Sequence, residues 1–293
     1  MKNKLSLFAV PYVGWMSIFV VAPIMIMVVY AFSTAAGDFT LENFARMGTY
    51  TAVFTRSFKL AIIATLIALL IGYPVSYMLS KEGPQVQRIA MVLIMLPMWM
   101  NFLLRTYSWM SILENNGLLN QLFQQIGLID LYNQIAMHFA SDPAAYVPID
   151  HFQMIGTQGA VVLGMVYNYL PFMILPIYSV LVKLDHSLIE AARDLGASSV
   201  QVFRKVILHL SLTGVLSGIT MVFVPSVSTF AISRLLGGGT QMMLGDLIEQ
   251  QFLGGAYNPQ LGAAIALVMM AIVVVCMLVM NRFGDGEEQA VML

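Results

Sequence analysis

The chain has 293 residues, 59% of them hydrophobic and 10% charged, with a net charge of −1. A soluble domain carries about 25% charged residues, so this composition, at a mean hydropathy of +0.81, excludes a largely soluble protein. No nucleic-acid partner is expected, and a single cysteine, Cys276, excludes an intrachain disulfide.

Six segments in turn are long enough to cross a hydrocarbon core, which takes about 20 apolar residues. They cover about 7–32, 58–80, 89–112, 156–182, 206–234 and 259–281. The fold expected is an all-α polytopic membrane protein with six transmembrane helices, residues 1–293 forming a single transmembrane domain. The first segment follows Lys2 and Lys4, as a signal peptide would. Its apolar run is nearly twice the about 7–15 residues of a cleavable core, so it reads as an uncleaved span.

Glycine or proline interrupts the spans at Gly14, Pro23, Gly72, Pro74, Pro97, Pro171, Pro176, Gly214, Gly218 and Pro225. Such positions either free backbone groups that need a partner or a wet cavity, or mark close helix contacts. A long segment, about 113–155, separates the third and fourth spans. In it Leu118, Leu119, Leu122, Phe123 and Ile126 recur at helical spacing against Asn120, Gln121, Gln124 and Gln125, the pattern of an amphipathic helix. Met137 to Gln153 reads as irregular loop. Asp246 and Glu249, between the last two spans, read as solvated acids or as groups that guide a cation.

Lys and Arg accumulate beside cytoplasmic span ends. One set of flanks holds Lys2, Lys4, Lys81, Arg88, Lys183, Arg193, Arg204, Lys205 and Arg282. The other holds only Arg46, Arg56, Lys59, Arg105 and Arg234. Both termini and the 183–205 connection are therefore expected in the cytoplasm.

That connection carries Glu190-Ala191-Ala192-Arg193-Asp194-Leu195-Gly196-Ala197-Ser198. Ser187 and Glu190 have capping-box spacing, the residues between are good helix formers, and Gly196 supplies a left-handed terminus. A helix of about two turns over 187–197 follows, too short to stand alone in water. From the residues alone, a linker between spans and a docking element are equally consistent.

The same stretch resembles the EAA-x3-G signature of permease subunits of ATP-binding cassette importers. Leu170–Tyr178, Leu96–Tyr107 and Asn116–Asn120 extend the resemblance to the spermidine/putrescine transport system permeases over nearly the whole chain. His209 stands where the family has proline, so the bend into the fifth span lacks its usual residue. The resemblance implies the type I importer permease architecture and ATP-driven import into the cytoplasm across a bacterial inner membrane. The cargo it implies is polyamine; relatives carry thiamine, ferric iron, phosphonates or opines. It implies that Glu190, Ala191, Ala192, Arg193, Asp194 and Gly196 couple to the ATPase. The partners implied are two ATP-binding subunits that use ATP and magnesium, a second permease subunit, identical or different, and an extracytoplasmic substrate-binding protein.

Trp99, Asn101, Arg105, Tyr107, Tyr167, Asn168, Tyr169, Ser226, Ser228 and Thr229 are polar or aromatic residues of the third to fifth spans. They are candidates to line a cation path through ring faces and oxygens, or else are interhelical hydrogen bonds and interface aromatics. No lysine follows glycine in a phosphate-binding loop, and Gly237-Gly238-Gly239-Thr240 lacks the lysine. His138, Asp142, Asp150 and His151 show no recognised metal-ligand spacing. No enzyme active site, bound cofactor or metal is expected in this chain. An ion-coupled secondary transporter would place ionisable residues near the midplane, and these spans lack them.

Overall fold

A computed structural model of the chain describes residues 11–139 and 146–291. Lys2, Lys4, Asp142 and the start of the first span lie outside the described residues. The order is α1 (Pro11–Ala31), α2 (Glu42–Ser80), α3 (Pro84–Trp99), α4 (Phe102–Leu113), α5 (Leu118–Gln125) and α6 (Leu128–Phe139). There follow α7 (Gln158–Leu181), α8 (His186–Asp194), α9 (Ser199–Leu210), α10 (Leu212–Ser228), α11 (Ala231–Leu236), α12 (Leu244–Leu253) and α13 (Pro259–Val291). The described residues hold no sheet, only a bridge between Ser33 and Phe39.

Helices α2, α7 and α10 form the centre by packing against one another. Glycines allow that closeness. A Cβ on Gly72 would stand 2.9 Å from Met173 Cγ, and one on Gly214 would stand 2.9 Å from the Pro176 carbonyl. Leu60, Ala64, Val161 and Met165 fill one end of this core with Ile232 and Leu236 of α11. Tyr73, Met173, Ile177 and Leu181 fill the other with Val202, Ile207 and Val215. Helix α13 flanks the core and holds α1 and α12, yet none of the apolar window of α1 is buried.

Two expected spans are not straight. The segment read as 89–112 breaks after α3, and the helices on either side, Pro84–Trp99 and Phe102–Gln125, lie at 90°. Pro97 has no amide to continue the helix, Met100 and Asn101 are extended, and Asn101 Oδ1 accepts from the amides of Leu103 (2.9 Å) and Leu104 (3.3 Å). Asn101 thus starts a second helix. Asn101→Ala should cost about 1 kcal/mol and lower the thermal midpoint of the purified protein by a few degrees, with Asn101→Asp near wild type. An unchanged Ala midpoint would refute that role.

The segment read as 206–234 turns by 60° at Ser211 and ends at Ser228, leaving α11 as a separate short helix. Here the bend lacks proline. A π-turn at Phe203–Ile207 precedes it, and Ser211 Oγ donates to the Leu208 carbonyl at 3.1 Å, the acceptor that the Leu212 amide would use in a regular helix.

The connection between the third and fourth spans is more ordered than its sequence indicates. The loop read from Met137 begins inside α6, a helix the periodicity missed. Asn120, read as part of a polar face, is 3% exposed. Its amide pairs both ways with the Phe152 backbone, and Asn133 does the same with Ile149.

Candidate functional site

Helix α8 is built by its ends. Asp185 is the N-cap, its carboxylate accepting from the Ser187 amide at 2.9 Å. The box expected at Ser187 and Glu190 is therefore corrected: Ser187 lies inside the helix. A capping box forms instead at Ser198 and Gln201, opening α9. At the other end Gly196 adopts φ +81°. Its amide donates to the Arg193 carbonyl (2.8 Å), and the Ala197 amide donates to Ala192 (3.1 Å). This pair of bonds is the Schellman arrangement. It ends the helix at Asp194, short of the expected residue 197.

One side of α8, through Ile189 and Ala192, packs with Ala197 and Phe203 against the Tyr73–Leu181–Val202 cluster. Glu190, Ala191, Arg193, Asp194 and Gly196 are exposed. So are Leu188 and Leu195, the latter 89% exposed, and Val200. These three apolar residues were missed in the sequence reading. Leu188 and Leu195 carried a signal, their spacing of seven residues; Val200 carried none. The result is a short helix fixed to the core on one side, offering apolar and charged groups on another.

The path candidates separate into groups. Arg105 is 8% exposed and donates through Nη1 to the Pro97 carbonyl, which also accepts from the Met100 amide at the break in the third span. Its guanidinium carbon lies 5.8 Å from the Tyr167 ring centre, and it acts electrostatically on Tyr169. Tyr169 lies beside Thr229, and its hydroxyl donates to the Pro225 carbonyl at 3.5 Å. Arg105, Tyr167, Tyr169 and Thr229 therefore come together where α4, α7 and the end of α10 meet. Ser226 is buried and bonded to Val222 on its own helix. Asn168 is buried and bonded to Gly164, its Oδ1 unpartnered. Trp99, Tyr107 and Ser228 are exposed, and Asn101 serves as the cap of α4.

The reading of Asp246 as solvated is corrected: it is 4% exposed. The Ser233 hydroxyl and the Met243 amide donate to its Oδ2, and the Arg234 guanidinium lies 3.8 Å from its Oδ1. Arg234 also pairs with Glu249, and together these contacts tie α12 to α11. Burial raises the Asp246 pKa above the ordinary carboxylate value, against the opposing pull of Ser233, Met243 and Arg234. The folded protein therefore binds this proton more tightly than the unfolded chain. The stability it contributes is present at low pH and is lost as pH rises from about 4 through the raised value. Thermal unfolding from roughly pH 4 to 7 should show that downward slope, and Asp246→Asn should flatten it. An equal slope in both proteins would refute the assignment. No group of metal-ligating side chains occurs among the described residues.

The model of the family described as the binding-protein-dependent transport system inner membrane component matches residues 68–286. The chain belongs to this family of ABC importer permeases. It is 34% identical over 281 residues to the spermidine/putrescine transport system permease protein PotB of Escherichia coli K12, covering 93% of this chain and 95% of that protein. The PotB of Haemophilus influenzae is also 34% identical, over 285 residues and 93% of each chain. Among solved structures, a bacterial ABC transporter involved in alginate import superimposes with TM-score 0.76 at 16% identity, over 97% of this chain and 96% of that one. The MetNI methionine transporter in an inward-facing conformation gives 0.54 at 18% identity, over 84% of this chain and 98% of that one. These two neighbours share the fold.

Proposed function

We propose that this chain is the membrane path of an ATP-driven polyamine importer, moving spermidine and putrescine inward. The observation that carries the reading is identity of 34% over 93% of the chain to permeases named for those two substrates. Its partners are two ATP-binding subunits, a second permease subunit and an extracytoplasmic substrate-binding protein. ATP and magnesium are used by the ATP-binding subunits. Both termini and α8 face the cytoplasm, in line with the excess of Lys and Arg on that set of flanks.

In this mechanism Glu190, Ala191, Ala192, Arg193, Asp194 and Gly196 present α8 to the ATPase, with Leu188 and Leu195 supplying apolar contact. ATP binding draws the two α8 helices of the permease pair together, and the spans turn from inward- to outward-open. Cargo then enters from the binding protein, and hydrolysis resets the path. Its ammonium groups meet ring faces and hydroxyl or carbonyl oxygens, among them Tyr169 and Thr229, with Trp99, Tyr107, Ser226 and Ser228 along the same spans. Arg105 and Asn101 hold the bend in the third span, which sets one wall. The test is initial uptake of labelled spermidine and putrescine in cells with the gene deleted and restored. Loss and rescue are expected. Unchanged uptake on deletion would overturn the polyamine assignment.

A further inference from the structure

We infer that the groove between α2 and α7 is a binding site for an anionic phospholipid, with one acyl chain along the groove and the phosphate at Lys59. The groove has a cavity volume of about 670 Å³. Ile63, Ile67 and Ile71 line it from α2, and Val166 and Leu170 from α7. Its cationic and amide groups sit at one end, where Lys59 of α2 and Gln158 at the start of α7 face it together with Trp109; Tyr167 lines it further along α7.

The dimensions fit a lipid. At 1.5 Å per residue, the twelve steps from Lys59 to Ile71, and from Gln158 to Leu170, each cover about 18 Å. The 21 steps from Lys59 to Ser80 cover about 32 Å, close to the about 30 Å of a hydrocarbon core. Lys59 therefore stands at the headgroup level when Ser80 stands at the opposite one. Trp109, stacked edge-on against Tyr167 at 5.2 Å, is a residue type that favours that level.

Charge selects the occupant. Lys59 is exposed and has no carboxylate partner among the described residues. A second copy of α1, the span this fold leaves uncovered, could lie in the groove. However, Pro11–Ala31 contains no acidic residue to meet the ammonium. A lipid phosphate supplies the anion at that depth, and its chain supplies the apolar body.

The test uses the purified importer, this chain with its partner subunits, carrying photoreactive benzoylphenylalanine in place of Leu163, which lines the groove and is 39% exposed. It is reconstituted in equal amounts of phosphatidylglycerol and phosphatidylcholine, irradiated and analysed by mass spectrometry. Phosphatidylglycerol adducts should exceed phosphatidylcholine adducts. Lys59→Glu should lower the former about fivefold, leaving the latter unchanged, while Lys59→Arg should keep the preference. Equal adducts of both lipids, no lipid adduct, or a crosslink to the second permease subunit would each overturn the inference.

Discussion

Gly196→Val is expected to abolish ATP-driven uptake while the protein remains in the membrane with its other subunits. Gly196 holds φ +81°, and a Cβ there would meet nothing within 4 Å. The cost is therefore in the backbone, about 1–2 kcal/mol for a left-handed residue with a side chain, and valine's branching adds to it. Relief of that strain breaks the bonds from the Gly196 and Ala197 amides that end α8. The exposed strip holding Leu188 and Leu195 then turns away from its partner. Asparagine tolerates the left-handed region, so Gly196→Asn should keep a large part of the uptake. Glu190→Arg, which reverses an exposed charge on the same helix, should also lose uptake. Uptake at the wild-type rate by Gly196→Val in a verified complex would remove α8 from the coupling route.

Gly214→Leu should prevent accumulation of folded protein. Its Cβ would lie 2.9 Å from the Pro176 carbonyl and 3.1 Å from Ile177 Cα, so backbone meets backbone and no side chain can swing aside. Overpacking costs about 1–3 kcal/mol where neighbours can shift; here α7 and α10 would have to separate. Gly14→Leu is the matched control, since nothing lies within 4 Å of that position. Membrane-inserted yield and thermal midpoint should collapse for the first and hold for the second. Equal behaviour would mean that the α7–α10 contact is not required for the fold.

The same contrast shows how much the sequence revealed. Gly14 and Gly214 both read as small residues inside apolar runs, and only the partner across the contact distinguishes them. The long apolar helices were legible because about 20 apolar residues in a row have few other fates, whereas the breaks in the third and fifth segments were not. The α8 terminus was legible because Gly196 is a local signal. Its start was not, because Asp185 and Ser187 both qualify as caps, and the structure places Asp185 there. The break at Asn101 needed the knowledge that a polar residue in a third span would cap a new helix instead of facing cargo. Asp246 looked solvated because its shield, Ser233 and Arg234, lies thirteen and twelve residues back on another helix. Of the path candidates, Arg105, Tyr169 and Thr229 meet through folding alone; no spacing in the chain links them.

The bend at Ser211 has a mechanical consequence. A proline kink is built in because the ring removes a donor for good; His209 keeps its amide, so the angle of this joint is set by other groups. What holds it is a relay of two hydroxyls. Ser211 gives its proton to the Leu208 carbonyl, so the Tyr73 hydroxyl, 2.9 Å away, donates to Ser211. Each such bond has a net value of about 1 kcal/mol, small enough for thermal exchange and large enough to set a resting angle. Tyr73 belongs to the rigid centre and also touches Phe203 edge-on, in the cluster on which α8 rests. The angle of this joint and the seat of α8 therefore rest on one side chain, Tyr73, so that neither can shift without disturbing the other.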